Sequence, residues 1–250
     1  MKRWRRPLLW AAAALVLGWA AHGTEFHPSR FRDFGNMVHF IRRMFPPDWS
    51  IASTLLPDIL VTLQIALMGT WLAFVIAFPL SFAAARNVAG SRWIYLGVRN
   101  LLSLFRAVPM ILWALIFVVS FGIGPLPGVL ALAVHNAGLL GKVLSELMES
   151  AEIGPQEAVA AAGAPRSLVV WYGILPQVTP NMLSYTFYRF ECNVRESAVL
   201  GFVGAGGIGQ SLLINFRMFL YEQVVLQVLA VLLLVIAVDF VGAWIRRRVI

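Results

Sequence analysis

Cysteine is almost missing from this chain: Cys192 is the single one among 250 residues. No intrachain disulfide is possible, and no cysteine-built metal cluster can form. Charge is scarce as well, 13% of residues against 60% hydrophobic ones, which excludes an ordinary soluble domain. There is no G-x4-G-K-[ST] loop, so any ATP hydrolysis would have to come from another chain. H-E-x-x-H and G-x-S-x-G are also absent, and Cys192 has no identifiable base beside it. The chain therefore reads as a non-enzyme, with no metal and no cofactor expected. No internal repeat of 20–50 residues, low-complexity tract or soluble domain interrupts it.

Long apolar runs fill the space. Crossing a hydrocarbon core of about 30 Å takes ~20 residues, and runs over 59–85, 101–121, 129–147, 179–203 and 224–243 meet that length or approach it. The net charge of +8 could suggest nucleic acid. The basic residues instead gather at run ends, as the positive-inside bias requires. Arg86, with Arg92 and Arg99 in the short loop expected after it, places the end of the first run inside, and Arg246, Arg247 and Arg248 do the same for the C-terminus. Arg106, early in the next run, is placed to snorkel to the surface. The nine tryptophans suit interfacial anchoring.

Lys2, Arg3, Arg5 and Arg6 precede a further apolar run over 8–21. It reads as an uncleaved signal-anchor helix over 1–22; the alternative is a secretory signal with a poor site at Ala21-His22-Gly23. Residues 23–54 read as an extracytoplasmic segment. Within it Phe34, Met37, Val38, Ile41, Met44 and Phe45 share one helical face, either lying in the interface or capping the bundle, before Pro46-Pro47. The fold class expected is all-α integral membrane, with about six transmembrane helices, the last five forming the core.

The run over 179–203 carries Arg189, Glu191, Arg195 and Glu196. Each charge at mid-membrane costs ~2.5–3.5 kcal/mol on insertion scales, so a lipid-facing position is excluded. Arg189, Cys192, Asn193 and Glu196 share a face, and Glu191 and Arg195 stand at i, i+4. Two readings stay open. The charges are internal ion pairs that steady the bundle, or the arginines line a passage for an anion, whose oxygens the guanidinium fork matches. His135 and Asn136 lie at depth in the preceding run, open to substrate contact or to pairing with a neighbouring helix.

Gly204, Gly206, Gly207 and Gly209 spell G-x-G-x-x-G. A dinucleotide site needs a strand before that motif and an acid ~20 residues after it, and neither is present. The glycines read instead as a break near the outer mouth, a gate or hinge, or simply close helix packing.

Between two spans on the inner side, residues 154–176 read GPQEAVAAAGAPRSLVVWYGILP. Pro155 fits a first helical turn, Gly163 a stop, and Ala164-Pro165 a restart. This small-residue segment is too short and too polar to cross a bilayer. Glu157, Ala158, Gly163, Leu175 and Pro176 resemble the E-A-A-x3-G-x9-I-x-L-P loop of binding-protein-dependent ABC importer permeases. Val159 and Gly173 stand where that pattern has alanine and isoleucine. More narrowly, residues 188–209, 61–67, Leu175-Pro176-Gln177 and Phe45-Pro46-Pro47-Asp48-Trp49-Ser50 are similar to phosphonate ABC permeases.

The resemblance implies a type I permease domain over 55–246, with its coupling loop at 148–176, in the bacterial cytoplasmic membrane. It implies a homodimer working with two copies of an ATPase subunit and a periplasmic phosphonate-binding protein. The cargo implied is a phosphonate, with phosphite, hypophosphite or another small oxyanion as alternatives. Glu157, Ala158, Gly163, Leu175 and Pro176 would engage the ATPase. Arg189, Glu191, Asn193, Arg195 and Glu196 are the residues placed to line the anion's path. An ion-coupled secondary transporter is the rival class, for which Glu191 and Glu196 are the acids at depth.

Overall fold

The computed structural model describes residues 5–24 and 34–249. Lys2, Arg3 and residues 25–33 of the expected extracytoplasmic segment lie outside them. Two units separate at Pro46 and Pro47. In the first, α1 (Arg5–Gly23) carries the apolar run expected as an anchor, and Thr24 closes it, its hydroxyl donating to Ala20 C=O at 2.8 Å. The apolar part is a short one, Ala12–Gly23. Helix α2 (Phe34–Arg43) leaves Met37, Val38 and Ile41 exposed on one side, and Arg42 and Arg43 complement the negative end of its dipole.

The second unit has helices joined by short turns, with no strand among its described residues. Helix α3 (Ala52–Ala84) begins ahead of the expected run, because Asp48 caps a short 3₁₀ turn at Trp49–Ile51 through Ser50 N–H. After it come α4 (Arg92–Ala107), α5 (Met110–Phe121), α6 (Pro125–Glu149), α7 (Ile153–Ala161), the single turn α8 (Arg166–Leu168), α9 (Leu175–Leu200), α10 (Gly207–Arg217) and α11 (Tyr221–Val249). Three helices, α3, α6 and α11, are long and apolar enough to cross a membrane unaided. Two bent pairs bring the number to five.

The first of those pairs corrects the straight span expected over 101–121. Helices α4 and α5 meet at 84°. Pro109 has no N–H to continue α4 and pushes Val108 into extended backbone, ψ 123°. Two of the carbonyls at the bend meet side chains: Trp113 Nε1 donates to Phe105 C=O at 3.1 Å, and His135 Nδ1 lies 3.1 Å from Val108 C=O. His135 is thus a clasp on the bend. Arg92 and Arg99 are not loop residues either. They belong to α4, which Ser91 caps, and Arg99 pairs with Glu146 and Glu149 of α6.

Helices α3 and α6 form the centre. Ala66, Gly69, Ala73 and Ala77 make a small-residue seam on α3, and a Cβ at Gly69 would stand 2.6 Å from Leu132 Cβ. Between apolar helices in lipid there is little hydrophobic gain, so this close dispersion contact is what joins them. Toward one end Leu140, Leu144 and Met148 pack on Ile174, Val178 and Met182. Toward the other, Ile65, Leu132 and Leu200 meet Ala205.

Candidate transport site and coupling surface

The segment after α6 folds nearly as its residues require. Helix α7 ends at Ala161, and Gly163 adopts φ +77°, the left-handed stop that glycine permits. None of the residues of α7 is buried; Glu157, Ala158 and Ala160 to Ala162 are exposed. From Arg166 the chain then runs helically without a gap to Leu200, through a π-helical stretch at Val169–Ile174. Pro176 lies at the start of α9, and Gln177 Nε2 donates to Gly173 C=O within that wide turn. Leu175 is buried and Pro176 exposed.

Gly173, one of the two departures from the family pattern, has a local reason. A Cβ there would stand 3.0 Å from Gln156 Cα, so glycine lets α7 lie on the root of α9. Gln177 Oε1 accepts from Glu152 N–H at 3.0 Å, and Gln156 Nε2 donates to Glu152 C=O at 2.9 Å. The start of the exposed short helix is therefore tied to the long one by the Gln177 amide, while Gln156 closes the turn into α7 itself.

Further along α9 lies a buried polar cluster built from three helices. Arg189, only 8% exposed, donates to Asn136 Oδ1 of α6 and reaches Glu196 Oε1 and Oε2 at 3.3 and 3.4 Å. Asn136 Nδ2 donates to Asn193 Oδ1 at 2.8 Å, and Asn193 Nδ2 to Thr70 Oγ1 of α3 at 2.7 Å. Thr70 passes the relay on to Ala66 C=O at 2.6 Å. Turning the Asn193 amide over would let its nitrogen donate to Glu196 Oε2 at 3.2 Å. That orientation sets two amide nitrogens face to face at Asn136, whose oxygen Arg189 already holds, so the donor-to-acceptor chain is the better account. Arg189 Nε has no partner among the described residues and is buried.

Three of the five path residues expected from sequence thus come together: Arg189, Asn193 and Glu196. Glu191 and Arg195 do not join them, and they do not pair with each other. Glu191, 4% exposed, faces α11 and binds Arg246; Arg195 reaches Asp239 on the same helix at 3.1 Å. Helical spacing permits an i, i+4 pair but cannot exclude partners on a neighbouring helix. Asn136 and Thr70 were missed as members of the cluster, and Asp239 and Asp58 were missed as acids within spans. Asp58 Oδ2 accepts from Ser211 Oγ at 2.5 Å.

The glycine segment is a packed corner. Gly204, Gly206 and Gly207 take φ of +94°, +79° and +68°, and α10 leaves the α9 direction by 44°. A Cβ at Gly209 would collide with Ala198 C=O, and one at Gly201 would stand 2.5 Å from Gln210 N. Across the corner Ile208 N–H donates to Thr62 Oγ1 at 2.9 Å, and Gly124 N–H to Gly204 C=O at 2.9 Å.

With this geometry in place, similarity to known proteins decides the family. Residues 76–250 match the model of the binding-protein-dependent transport system inner membrane component. The chain belongs to that family. HtxC of Stutzerimonas stutzeri is 36% identical over 250 residues, covering 98% of this permease and 89% of that protein. The phosphite transport system permease protein PtxC of the same organism is 39% identical over 203 residues, 81% of this chain and 74% of its own. The phosphate-import permease protein PhnE of Mycolicibacterium smegmatis is 37% identical over 236 residues, 94% of this chain and 44% of its own. Among solved structures, an inward-facing MetNI methionine ABC transporter chain superposes with a TM-score of 0.71 at 23% identity, over 81% of this chain and 99% of that one. This permease accordingly has the type I fold of ABC importers and is a multi-pass inner-membrane protein.

Proposed function

We propose that this permease imports a phosphorus oxyanion, phosphonate or phosphite, driven by ATP hydrolysed on a separate subunit. Two copies of the chain form the conduit, two ATPase subunits hold α7 from the cytoplasm, and a periplasmic binding protein delivers the anion. One observation carries the reading: the helix rooted under α7 is the helix that bears Arg189. Movement of α7 is thereby passed along one unbroken rod to the buried guanidinium. The cargo class rests on relatives named for phosphite and phosphate, two tetrahedral anions of one chemistry.

At the cluster, Asn136 and Asn193 orient Arg189, and Glu196 occupies the side of its fork that an incoming anion needs. Glu196 is about a third exposed at its side chain and Arg189 about a tenth, so the acid is the group approached first. An oxyanion that displaces Glu196 gains two charge-assisted hydrogen bonds, and the returning carboxylate drives it off again. Such competition keeps the site weak enough to conduct. The ATPase must bind α7 differently in the two states of the conduit, since equal affinity shifts no equilibrium. Glu191 and Arg195 hold α11 in this scheme, and Gly204, Gly206, Gly207 and Gly209 form the corner against which the outer mouth opens.

The test is ATP-dependent uptake of labelled phosphite and methylphosphonate by the complete transporter in proteoliposomes. Glu157→Arg should abolish uptake at normal membrane levels, and Arg189→Ala should lower it by tenfold or more. Wild-type uptake in both variants would refute the scheme.

A further inference from the structure

Beside the coupling surface, the turn between α3 and α4 encloses a cavity of about 480 Å³ lined by Arg86, Ala89, Ser91, Arg92, Tyr95 and Leu96. Every polar side chain on that lining can donate. The guanidinium groups of Arg86 and Arg92 form no hydrogen bond or ion pair among the described residues, and both residues are exposed. Tyr95 OH accepts from Arg99 Nη1 at 2.9 Å, and Ser91 Oγ accepts from Trp93 N–H at 3.3 Å. Each hydroxyl therefore keeps its own proton for another acceptor. No carboxylate lines the cavity: Glu149, the nearest acid in the hydrogen-bond network, is taken by Arg86 N–H at 2.8 Å and by Arg99.

The neighbouring surface says which acceptor. Helix α4 turns Trp93, Ile94, Leu101 and Leu104 outward, Trp93 at 83% exposure. Water does not favour such a face on a helix whose other side carries Arg92 and Arg99, whereas a membrane interface does. The 84° bend into α5, apolar but for Ser120, fits a helix that lies along the inner surface before the chain dives into hydrocarbon. Basic cavities at that level match anionic headgroups, because arginine forks take two phosphate oxygens at once.

We propose that this cavity binds the headgroup of an anionic phospholipid of the inner leaflet. The phosphate sits between Arg86 and Arg92, Ser91 and Tyr95 donate to it, and an acyl chain runs over Leu96. The proposal rests on the cytoplasmic placement of this end, shared with the coupling reading. Arg166 Nη2 donates to Asn87 C=O at 3.1 Å, so lipid bound here touches the loop that steadies the chain just after α7.

The full-length permease in detergent is titrated with dioleoyl phosphatidylglycerol and dioleoyl phosphatidylcholine, and retained lipid is read by native mass spectrometry. Wild type should retain the anionic lipid preferentially. Arg86→Gln and Arg92→Gln should each weaken retention roughly fivefold and the pair about thirtyfold, while phosphatidylcholine retention is unchanged. Arg217→Gln, on α10 away from the cavity, should behave as wild type. Since both positions are exposed, folding is checked by gel filtration, and Arg86→Lys with Arg92→Lys gives a second pair that keeps the charge without the fork and should fall between wild type and the glutamine pair. Undiminished phosphatidylglycerol retention in the double glutamine variant overturns the proposal. So does displacement of the lipid by millimolar inorganic phosphate, which makes the site one for the free anion. Unchanged lipid retention with lost ATPase co-purification overturns it in favour of an acidic protein surface. Glu157→Arg, measured alongside, fails or holds on uptake alone and so separates the coupling reading from this one.

Discussion

The buried pair between α9 and α11 allows the sharpest test of how this bundle is held. Glu191 lies over Gly242, where any Cβ would overlap its carboxylate, and Arg246 closes on it from one turn further along α11. The Glu191 side chain is 5% exposed and that of Arg246 26%. Removing the arginine therefore strands a carboxylate that water barely reaches. Breaking a buried pair costs about 3–5 kcal/mol, and the partial exposure of Arg246 puts this case near the lower figure. Arg246→Met should accordingly lower the folded-to-unfolded ratio by about two orders of magnitude. Adding Glu191→Gln removes the stranded charge, and the double variant should return to within about 1 kcal/mol of wild type, because an apolar replacement of a buried pair is close to neutral. The assay is a double-mutant cycle on reversible unfolding in mixed micelles, followed by tryptophan fluorescence. Gly242→Ala should lose stability in wild type and lose little once Glu191 is alanine. Additive effects of Arg246→Met and Glu191→Gln would refute the pairing, as would an Arg246→Met variant within 0.5 kcal/mol of wild type on that same scale.

Three further outcomes follow from the same structure. Asn136→Ala deprives Arg189 of its buried acceptor; it should cost about 1.5–3 kcal/mol in the same unfolding assay and lower uptake with it, whereas Asn136→Asp should leave the fold intact. Gly209→Ala drives a methyl into Ala198 C=O and should lower the melting temperature sharply or prevent membrane accumulation, while Gly90→Ala, in open space, should do neither. The Asp48 carboxyl, held below its usual range chiefly by its bond with Ser50 and then by Gln223, steadies the turn before α3. Because its folded value is depressed, that contribution is complete above the ordinary carboxylate range and is lost as pH falls through the folded value. Asp48→Asn should thus differ from wild type at pH 7 and converge with it in strong acid, read on Trp49 emission.

Hydropathy disclosed α3, α6 and α11 directly, because each is one uninterrupted apolar helix. It failed at α4 and α5, since the apolar run continues straight through Pro109 and a bend alters no residue's affinity for lipid. A second signal was present and went unused. Arg92, Arg99 and Arg106 stand seven apart, which lines them along one face of a helix and marks it as amphipathic. The segment over 154–176 was legible down to its stop, because Gly163 and Pro165 act locally. The polar cluster was only half legible. Spacing put Arg189, Asn193 and Glu196 on one face, but Asn136 and Thr70 come from other helices, and nothing in a single sequence sets their register. The same ignorance hid the partners of Glu191 and Arg195. In hindsight the order of the partners is reversed on α11, Arg246 for Glu191 and Asp239 for Arg195, as an antiparallel pair of helices demands.

These contacts divide the molecule by how firmly each end is held. At the α9–α10 corner the joins are close contacts made at the backbone: Gly201 packs against Gly209, Gly128 against the Ala205 methyl, and Thr62 accepts from Ser197 Oγ at its C=O and from Ile208 N–H at its hydroxyl. A gate formed there cannot move its glycines alone; it has to carry the adjoining turns of α3 and α6 with it. At the other end the start of α7 is fastened to α9 by the side chain of Gln177, beside a π-helical turn that is wider and less regular than an α-helix. Side-chain amides can exchange partners at small cost, whereas close-packed backbones cannot. Yielding contacts therefore lie where an ATPase would push and rigid ones where the outer mouth would open, with Arg189 on the rod between them. In the proposed scheme that order would let a displacement at α7 reach the buried guanidinium before it is absorbed by the bundle.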